Sequence, residues 1–176
     1  MSQSSVPHAS ATESRELPHK NHDDFVMSRF RGDPVEGREA RIELRVRYAE
    51  TDQMGVVYHA NHLIWCEMGR VDWLTGAGLP YSEIESKGIY MPVVEAACRY
   101  LAPARFDQRI ELATRLVGLG RSRARFGYRL WGPGGKLIAV AYTEHAAVNG
   151  QMRSVILPDW LREKMTAPAA TPTRPT

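Results

Sequence analysis

One long helical stretch stands among many strand-like ones, and that imbalance restricts the architecture more than any other feature of the chain. From about Ala60 to Thr75, the residues Ile64, Met68, Val71 and Thr75 fall on one helical stripe, with Trp65 and Leu74 at its margins. Gly76 and Gly78 close it, because glycine tolerates the left-handed cap conformation. Before it, Arg41 to Tyr48 alternates, with Ile42, Leu44, Val46 and Tyr48 against Arg41, Glu43, Arg45 and Arg47. After it come Met91 to Tyr100, Arg109 to Val117, Arg121 to Leu130 and Leu137 to Val148. In Arg121 to Leu130, Ala124, Phe126, Tyr128 and Leu130 face one way, and Arg121, Arg123, Arg125 and Arg129 face the other. Leu137 to Val148 is apolar on both faces and is predicted to be a central strand. Met91 to Tyr100 is apolar on both faces too. Gly132-Pro133-Gly134-Gly135 is a turn. Asn149-Gly150 signals a type I′ hairpin with Gln151 to Ile156 pairing back. Ser82 and Glu85 have capping-box spacing for a short helical turn, and Pro158 to Met165 reads as a short terminal helix. One helix covers one face of such a sheet. The order therefore predicts an α+β fold, with an antiparallel sheet of five or six strands wrapped around the helix and a partner subunit or other structure covering the outer face.

Both ends lack periodicity. Residues 1–24 are polar and are expected to be disordered, while Phe25 to Phe30 is an apolar island expected to dock on the surface. Residues 1–40 together form a disordered or loosely docked extension, 41–165 one domain, and 166–176 a disordered Pro/Thr-rich tail. No apolar h-region follows the N-terminus, and Glu13, Glu16, Asp23 and Asp24 argue against a transit peptide. There is no run of 18 apolar residues, so no membrane span is expected. Cys66 and Cys98 are too few for a disulfide framework or a four-cysteine zinc site and are expected to be small buried residues. These features together fit a cytoplasmic protein.

The net charge of +3 is small, but its distribution is uneven. No acid lies between Glu111 and Glu144, a window that holds Arg115, Arg121, Arg123, Arg125, Arg129 and Lys136. An anionic partner follows as an expectation. The arginine face carries no interleaved aromatics, so a nucleic acid is not expected.

The segment with most chemistry runs from Tyr48 to His62. Asp52 ends a strand and precedes a glycine-containing loop that feeds the helix. That order can aim a carboxylate at a helix N-terminus, whose free N–H groups attract an anion or a developing oxyanion. A base beside an oxyanion site is a minimal kit for acyl transfer. Taken singly, each residue also has an ordinary reading: Asp52 as a turn residue, Asn61 as an N-cap, Glu67 as a solvated helix residue. His59 and His62 share a helical face, but a third metal ligand at suitable spacing is missing, so no metal is expected.

The pattern Tyr48-x-x-Thr51-Asp52-x-x-Gly55-Val56-Val57-Tyr58-His59-Ala60-Asn61, continued by Glu67 and Arg70, resembles hotdog-fold acyl-CoA thioesterases of the 4-hydroxybenzoyl-CoA thioesterase type. It is closest to the branch associated with the bacterial Tol-Pal system. The similarity continues through Met91-Pro92-Val93 and Tyr100-Leu101-Ala102-Pro103-Ala104 to about Val155. The resemblance implies a hotdog fold, with the sheet wrapped around the Ala60–Thr75 helix. It also implies a homodimer or homotetramer with the active site at the subunit interface. Asp52 matches the catalytic aspartate, as general base or nucleophile. The backbone N–H of His59 matches the group that polarises the carbonyl, and its side chain assists. Tyr58 and Asn61 would line the site, and Glu67 is a further substrate-binding candidate. The substrate implied is an acyl-CoA, hydrolysed to acid and free thiol without a cofactor, since coenzyme A is part of the substrate. Arg121, Arg123 and Arg125 would then meet the coenzyme's phosphates, to which guanidinium donors are matched. A non-catalytic hotdog protein that binds acyl-CoA or acyl carrier protein, and a dehydratase acting on acyl carrier protein, are the alternatives.

Overall fold

The computed structural model describes residues 22–168. The expected disorder of residues 1–24 and 166–176 falls mostly on residues outside that range. The chain runs α1 (His22–Met27), β1 (Asp33–Pro34), β2 (Glu39–Arg45), α2 (Asn61–Gly76), α3 (Tyr81–Ser86), β3 (Val93–Tyr100), β4 (Arg109–Leu119), β5 (Arg123–Trp131), β6 (Leu137–Ala146) and α4 (Asp159–Thr166). Six strands form one antiparallel sheet in the order β1-β4-β5-β6-β3, with β2 also paired to β4. The sheet wraps around α2, which is the α+β hotdog arrangement expected.

Alternation dictates which side chains meet that helix. On β5, Ala124, Phe126, Tyr128 and Leu130 are buried against it, as the sequence predicts. β6 is central and buried along nearly its whole length, again as expected. The helix itself is turned differently from the prediction. Its buried face is Trp65, Cys66, Gly69, Trp73 and Leu74. Ile64 and Met68, read as the core stripe, are each 48% exposed, and Val71 lies beside them on the open side. The reason is Gly69. A Cβ at that position would lie 2.8 Å from Leu112 Cδ2 and collide with Thr114 Oγ1, so only glycine lets the helix sink onto β4 there. The two tryptophans fill the space on either side. Apolar residues therefore surround the helix, and periodicity alone selects the wrong stripe.

Three local expectations also change. β2 ends at Arg45, and Tyr48 lies in a 3-10 turn, Tyr48–Glu50, exposed rather than in a strand. Asn149-Gly150 is not a type I′ turn, since the left-handed residue of that loop is Met152, at φ 59°. The Asn149 side chain instead accepts the amides of Gln151 and Arg153, and the return is a single bridge, Val148 to Ser154.

The arginine face of β5 is not a wet face. Residues 25–30 pack over it through Val26 and Phe30, while residues 31–34 are exposed. Val26 is buried in the space left by Gly127, where a Cβ would come within 2.7 Å of it. Phe30 covers Gly118 and Gly32. Arg125 is 0% exposed beneath them. It donates to the carbonyls of Val26 (3.0 Å) and Ser28 (2.7 Å) at the end of α1 and to Glu144 (2.6 Å), and stacks on the rings of Phe30 and Tyr142. Glu144 also receives Arg123 at 2.6 Å. Burial pushes the Glu144 carboxyl up, but the hydrogen bonds from Arg123 and Arg125 outweigh it and hold the group below the usual carboxylate range.

Breaking this buried pair leaves a charge enclosed without its counter-ion. Glu144→Gln is expected to destabilise the protein by about 3–5 kcal/mol in urea unfolding. Asp23→Asn, in the exposed 2.6 Å pair with Arg129, should cost less than about 1 kcal/mol. Equal losses in the two variants would show that α1 docks without the buried pair.

Candidate active site

The turn before α2 is built on a buried acid that the sequence does not single out. Glu50 lies beneath the loop, and its carboxylate accepts three hydrogen bonds: from the Arg47 amide (2.8 Å), from Arg47 Nη2 (2.9 Å) and from Trp65 Nε1 on α2 (3.1 Å). Its carbonyl accepts the Tyr58 amide (2.9 Å) and Asn61 Nδ2 (2.8 Å). One residue thus ties the strand exit, the returning loop and the first turn of the helix together. Burial pushes the Glu50 carboxyl up, yet the Arg47 and Trp65 donors outweigh it and hold the group below the usual range, so it is ionised.

The loop that Glu50 supports carries Asp52. Thr51 bridges Val57, the Asp52 amide bonds to Val56 O at 3.0 Å, and Gly55 turns at φ 67°. One Asp52 oxygen, Oδ1, accepts the Met54 amide at 2.9 Å, which is the turn-residue role. Among the described residues Oδ2 has no partner. At the helix start the amides of Asn61, His62 and Leu63 are bonded to the carbonyls of Tyr58, His59 and Ala60. Those of His59 and Ala60 have no acceptor among the described residues. A half-free carboxylate and two open amides thus belong to the same short loop.

A concavity of about 360 Å³ opens beside them, lined among others by Val56, His59, His62, Tyr100 and Pro103. The Tyr100 hydroxyl donates to His59 O at 3.0 Å, which fixes that peptide. Burial pushes the Tyr100 phenol up to about 12, so it stays a donor. His62 is buried between the rings of Trp65 and Tyr100, and burial lowers its pKa, which keeps the ring neutral. Its Nδ1 sits 3.2 Å from His59 O, while Nε2 is buried without a partner beside the concavity.

The predicted residues therefore separate. Asp52, Tyr58 and His59 lie on the loop, with the Tyr58 and His59 rings 4.3 Å apart. Asn61 holds the Glu50 carbonyl rather than facing the concavity. Glu67 lies further along α2 in a different groove, with Arg70. The arginine row is at the other end of the sheet. Tyr100 pairs with Ala139, and Ala139 with Leu130, so Arg123 is seven strand residues, about 23 Å, from the concavity within one subunit. Arg125 is enclosed and already bonded, so it cannot receive a phosphate. Arg123 is paired to Glu144, which leaves Arg121 exposed and without an ion pair among the described residues. Cys66 is fully buried with its thiol pushed well up by burial, and Cys98 is half-buried, so both read as structural. Glu50, His62 and Tyr100 were missed. The first sits two residues from Asp52 and resembles any loop acid, and the others are recognised only once β3 packs against the helix start.

Glu50→Gln is expected to lower stability at neutral pH by about 1–3 kcal/mol, because the Arg47 and Trp65 donors lose a charged acceptor. The native carboxyl has the lowered pKa, so its contribution is complete above the unfolded carboxylate range and fades as pH falls through the native value. Melting curves of the two proteins should therefore converge only in acid below the usual carboxylate range. A gap that persists into acid would assign Glu50 a packing role only.

The defining pattern of the Thioesterase-like superfamily matches residues 46–165. Bacillus subtilis YneP, provisionally named an acyl-CoA thioesterase, is 37% identical over 126 residues, covering 69% of this chain and 91% of that protein. A structure of protein TT1821 from Thermus thermophilus superposes with a TM-score of 0.68 at 40% identity, over 72% of this chain and 96% of that one. The DHNA-CoA thioesterase of Staphylococcus aureus superposes with a TM-score of 0.68 at 28% identity, over 72% and 87%. The fold is thus shared with these solved structures across most of their length, and the chain belongs to the Thioesterase-like superfamily.

Proposed function

We propose that the protein hydrolyses acyl-CoA thioesters, with no cofactor, at the loop that joins Asp52 to the start of α2. The observation that carries this reading is the free Asp52 Oδ2 in the same loop as the two unpaired amides of His59 and Ala60. The names of the relatives above, an acyl-CoA thioesterase and a DHNA-CoA thioesterase, support it. The Asp52-x-x-Gly55-Val56-Val57-Tyr58-His59 run supports the Tol-Pal-associated branch of the family. A thioester carbonyl seated over the helix start receives the two N–H groups as its oxygen becomes negative, which is where preorganised donors act most strongly. Asp52 takes the proton of an attacking water, or attacks the carbonyl carbon itself and is released by water. Either route expels the coenzyme as thiolate. The His59 ring, against Tyr58, orients the acyl-sulfur end.

Asp52→Asn should lower turnover by about 10²–10⁴-fold, measured by release of free thiol, with the melting temperature nearly unchanged. Turnover close to the wild type would remove Asp52 from the mechanism. No thiol release by the wild type from any acyl-CoA would favour the binding-protein alternative.

We also propose that the working unit is a homodimer paired through β3. That strand is a sheet edge, with Val93 50% and Val94 46% exposed, and the open α2 stripe of Ile64, Met68 and Val71 lies on the same side. An unpaired apolar edge beside an apolar helix face is a surface that another chain covers. The outer face over β4 to β6 is already closed by α1, which argues for a dimer over stacked sheets. A second β3 laid antiparallel would bring the Val93 end of one copy to the Tyr100 end of the other, beside the concavity. Met68→Lys or Val94→Lys should shift sedimentation to the monomer and abolish turnover while circular dichroism stays native. A fully active monomer would refute the shared unit.

A further inference from the structure

Arg70 is a buried cation without a counter-ion. It lies on α2, is 8% exposed, and its Nε has no hydrogen-bond partner. Its neighbours are the Tyr81 ring, 5.3 Å from the guanidinium carbon, and the Tyr128 hydroxyl, which is itself bonded to Thr143 Oγ1 at 2.7 Å, with Glu67 lining the same groove outside ion-pair distance. Among the described residues no carboxylate comes within ion-pair distance of it. Arg125, the other deeply buried arginine, also has an unpartnered Nε, but its Nη atoms have Glu144 and two carbonyls, and Arg70 differs in lacking the carboxylate. A guanidinium enclosed without a carboxylate partner is costly to bury, and an anion from outside the chain would offset that cost.

Arg70 lines a groove of about 230 Å³ between α2 and β3. The walls are Leu63, Ile64, Val93 and Ala96, with Thr143 at the floor and Glu67 beside Arg70. Both sides of this groove continue from the proposed active site. Leu63 and Ile64 follow Asn61 on the helix, and β3 runs from Val93 to Tyr100, which lines the first concavity. The groove and the first concavity thus lie along the same two elements, α2 and β3, with Arg70 in the groove. Arg70 lies nine residues beyond Asn61, about 13 Å along the axis, and its side chain leans back toward the helix start, so an eight-carbon chain spans roughly the distance.

We infer that Arg70 receives a carboxylate at the far end of the acyl group, so that the groove selects ω-carboxyacyl thioesters over methyl-ended ones of equal length. The inference rests on the thioesterase reading above. Hydrocarbon lies along Leu63, Ile64, Val93 and Ala96, and the terminal carboxylate takes the donors that the protein leaves open. A carboxylate of a second copy, such as its Glu67, is the competing occupant.

The test compares octanedioyl-CoA with octanoyl-CoA. Wild-type kcat/KM should favour the acid-ended substrate by at least about tenfold, the scale of one charge-assisted hydrogen bond. Arg70→Met should abolish that preference by lowering the octanedioyl value while leaving the octanoyl value within about twofold. Arg70→Lys, which keeps the charge but loses the fork, should retain part of the preference. Free octanedioate should raise the melting temperature of the wild type and not of Arg70→Met, a readout that does not depend on hydrolysis. If neither thioester releases thiol while octanedioate still stabilises the wild type alone, the thioesterase reading fails and the Arg70 site stands. Equal wild-type use of both substrates, or a preference that survives in Arg70→Met, overturns the inference. So does dissociation of the oligomer in both Arg70→Met and Glu67→Gln without any substrate preference, which would assign the guanidinium to the second copy.

Discussion

The height of α2 above the sheet is set by one contact, Gly69 on Leu112 and Thr114, and both flanks of the domain are fixed from it. Trp65 and Trp73 lie four residues to either side, so both indoles share the buried face with the glycine. Each buries a large apolar ring and directs its single N–H outward along the helix axis. Trp65 donates to Glu50 beneath the Asp52 loop, and Trp73 donates to Arg38 O ahead of β2 at 2.9 Å. A side chain at position 69 would lift the helix and withdraw both indoles together. The loop at one end and the N-terminal segment at the other thus depend on the same close approach.

Turning the helix by this contact decides what faces outward. Because Trp65, Cys66, Gly69 and Trp73 take the inner side, Ile64, Met68 and Val71 remain outside, next to the unpaired edge of β3. The outer face of the sheet has the opposite history. Its glycines, Gly118 and Gly127, are hollows filled by Phe30 and Val26 of the chain's own extension. One face is closed intramolecularly and the β3 edge is left apolar, which is the surface on which the proposed homodimer would form.

Much of this was legible in the residues, and the reasons for the failures are physical. The β5 alternation placed Ala124, Phe126, Tyr128 and Leu130 correctly, since a period of two has one inner face whatever lies outside. The same alternation could not tell whether Arg125 meets water or protein. Its covering carbonyls, Val26 and Ser28, come from almost a hundred residues earlier in the chain. The helix was placed to within a residue at each end, but its inner face was not. A helix that is apolar all round has no preferred stripe, and a glycine contributes nothing to a hydrophobic pattern even where it decides the packing. The Asp52 loop was found because its residue order is specific, whereas Glu50, which holds it, was not distinguishable from any other loop acid.

Glu50 also explains how so short a loop can be rigid enough for chemistry. Nearly every polar group around Asp52 is bonded within the loop or to its support: the Asp52 amide to Val56, the Gly55 amide to Asp52, the Tyr58 amide to Glu50, and the His59 carbonyl to Tyr100. Among the described residues, the groups without a partner include Asp52 Oδ2 and the amides of His59 and Ala60, together with the amides of Gln53 and Val56. Open donors and acceptors are costly where they are shielded from water, so they persist only if the surrounding bonds prevent the loop from closing on itself. The ionised Glu50 supplies that restraint. It binds Arg47 on the incoming side and Trp65 on the helix, so the loop cannot relax without uncovering a buried charge. Preorganisation at the proposed reacting end would in this way be maintained by electrostatics one layer below, and that layer is held in turn by the depth of the helix in the sheet.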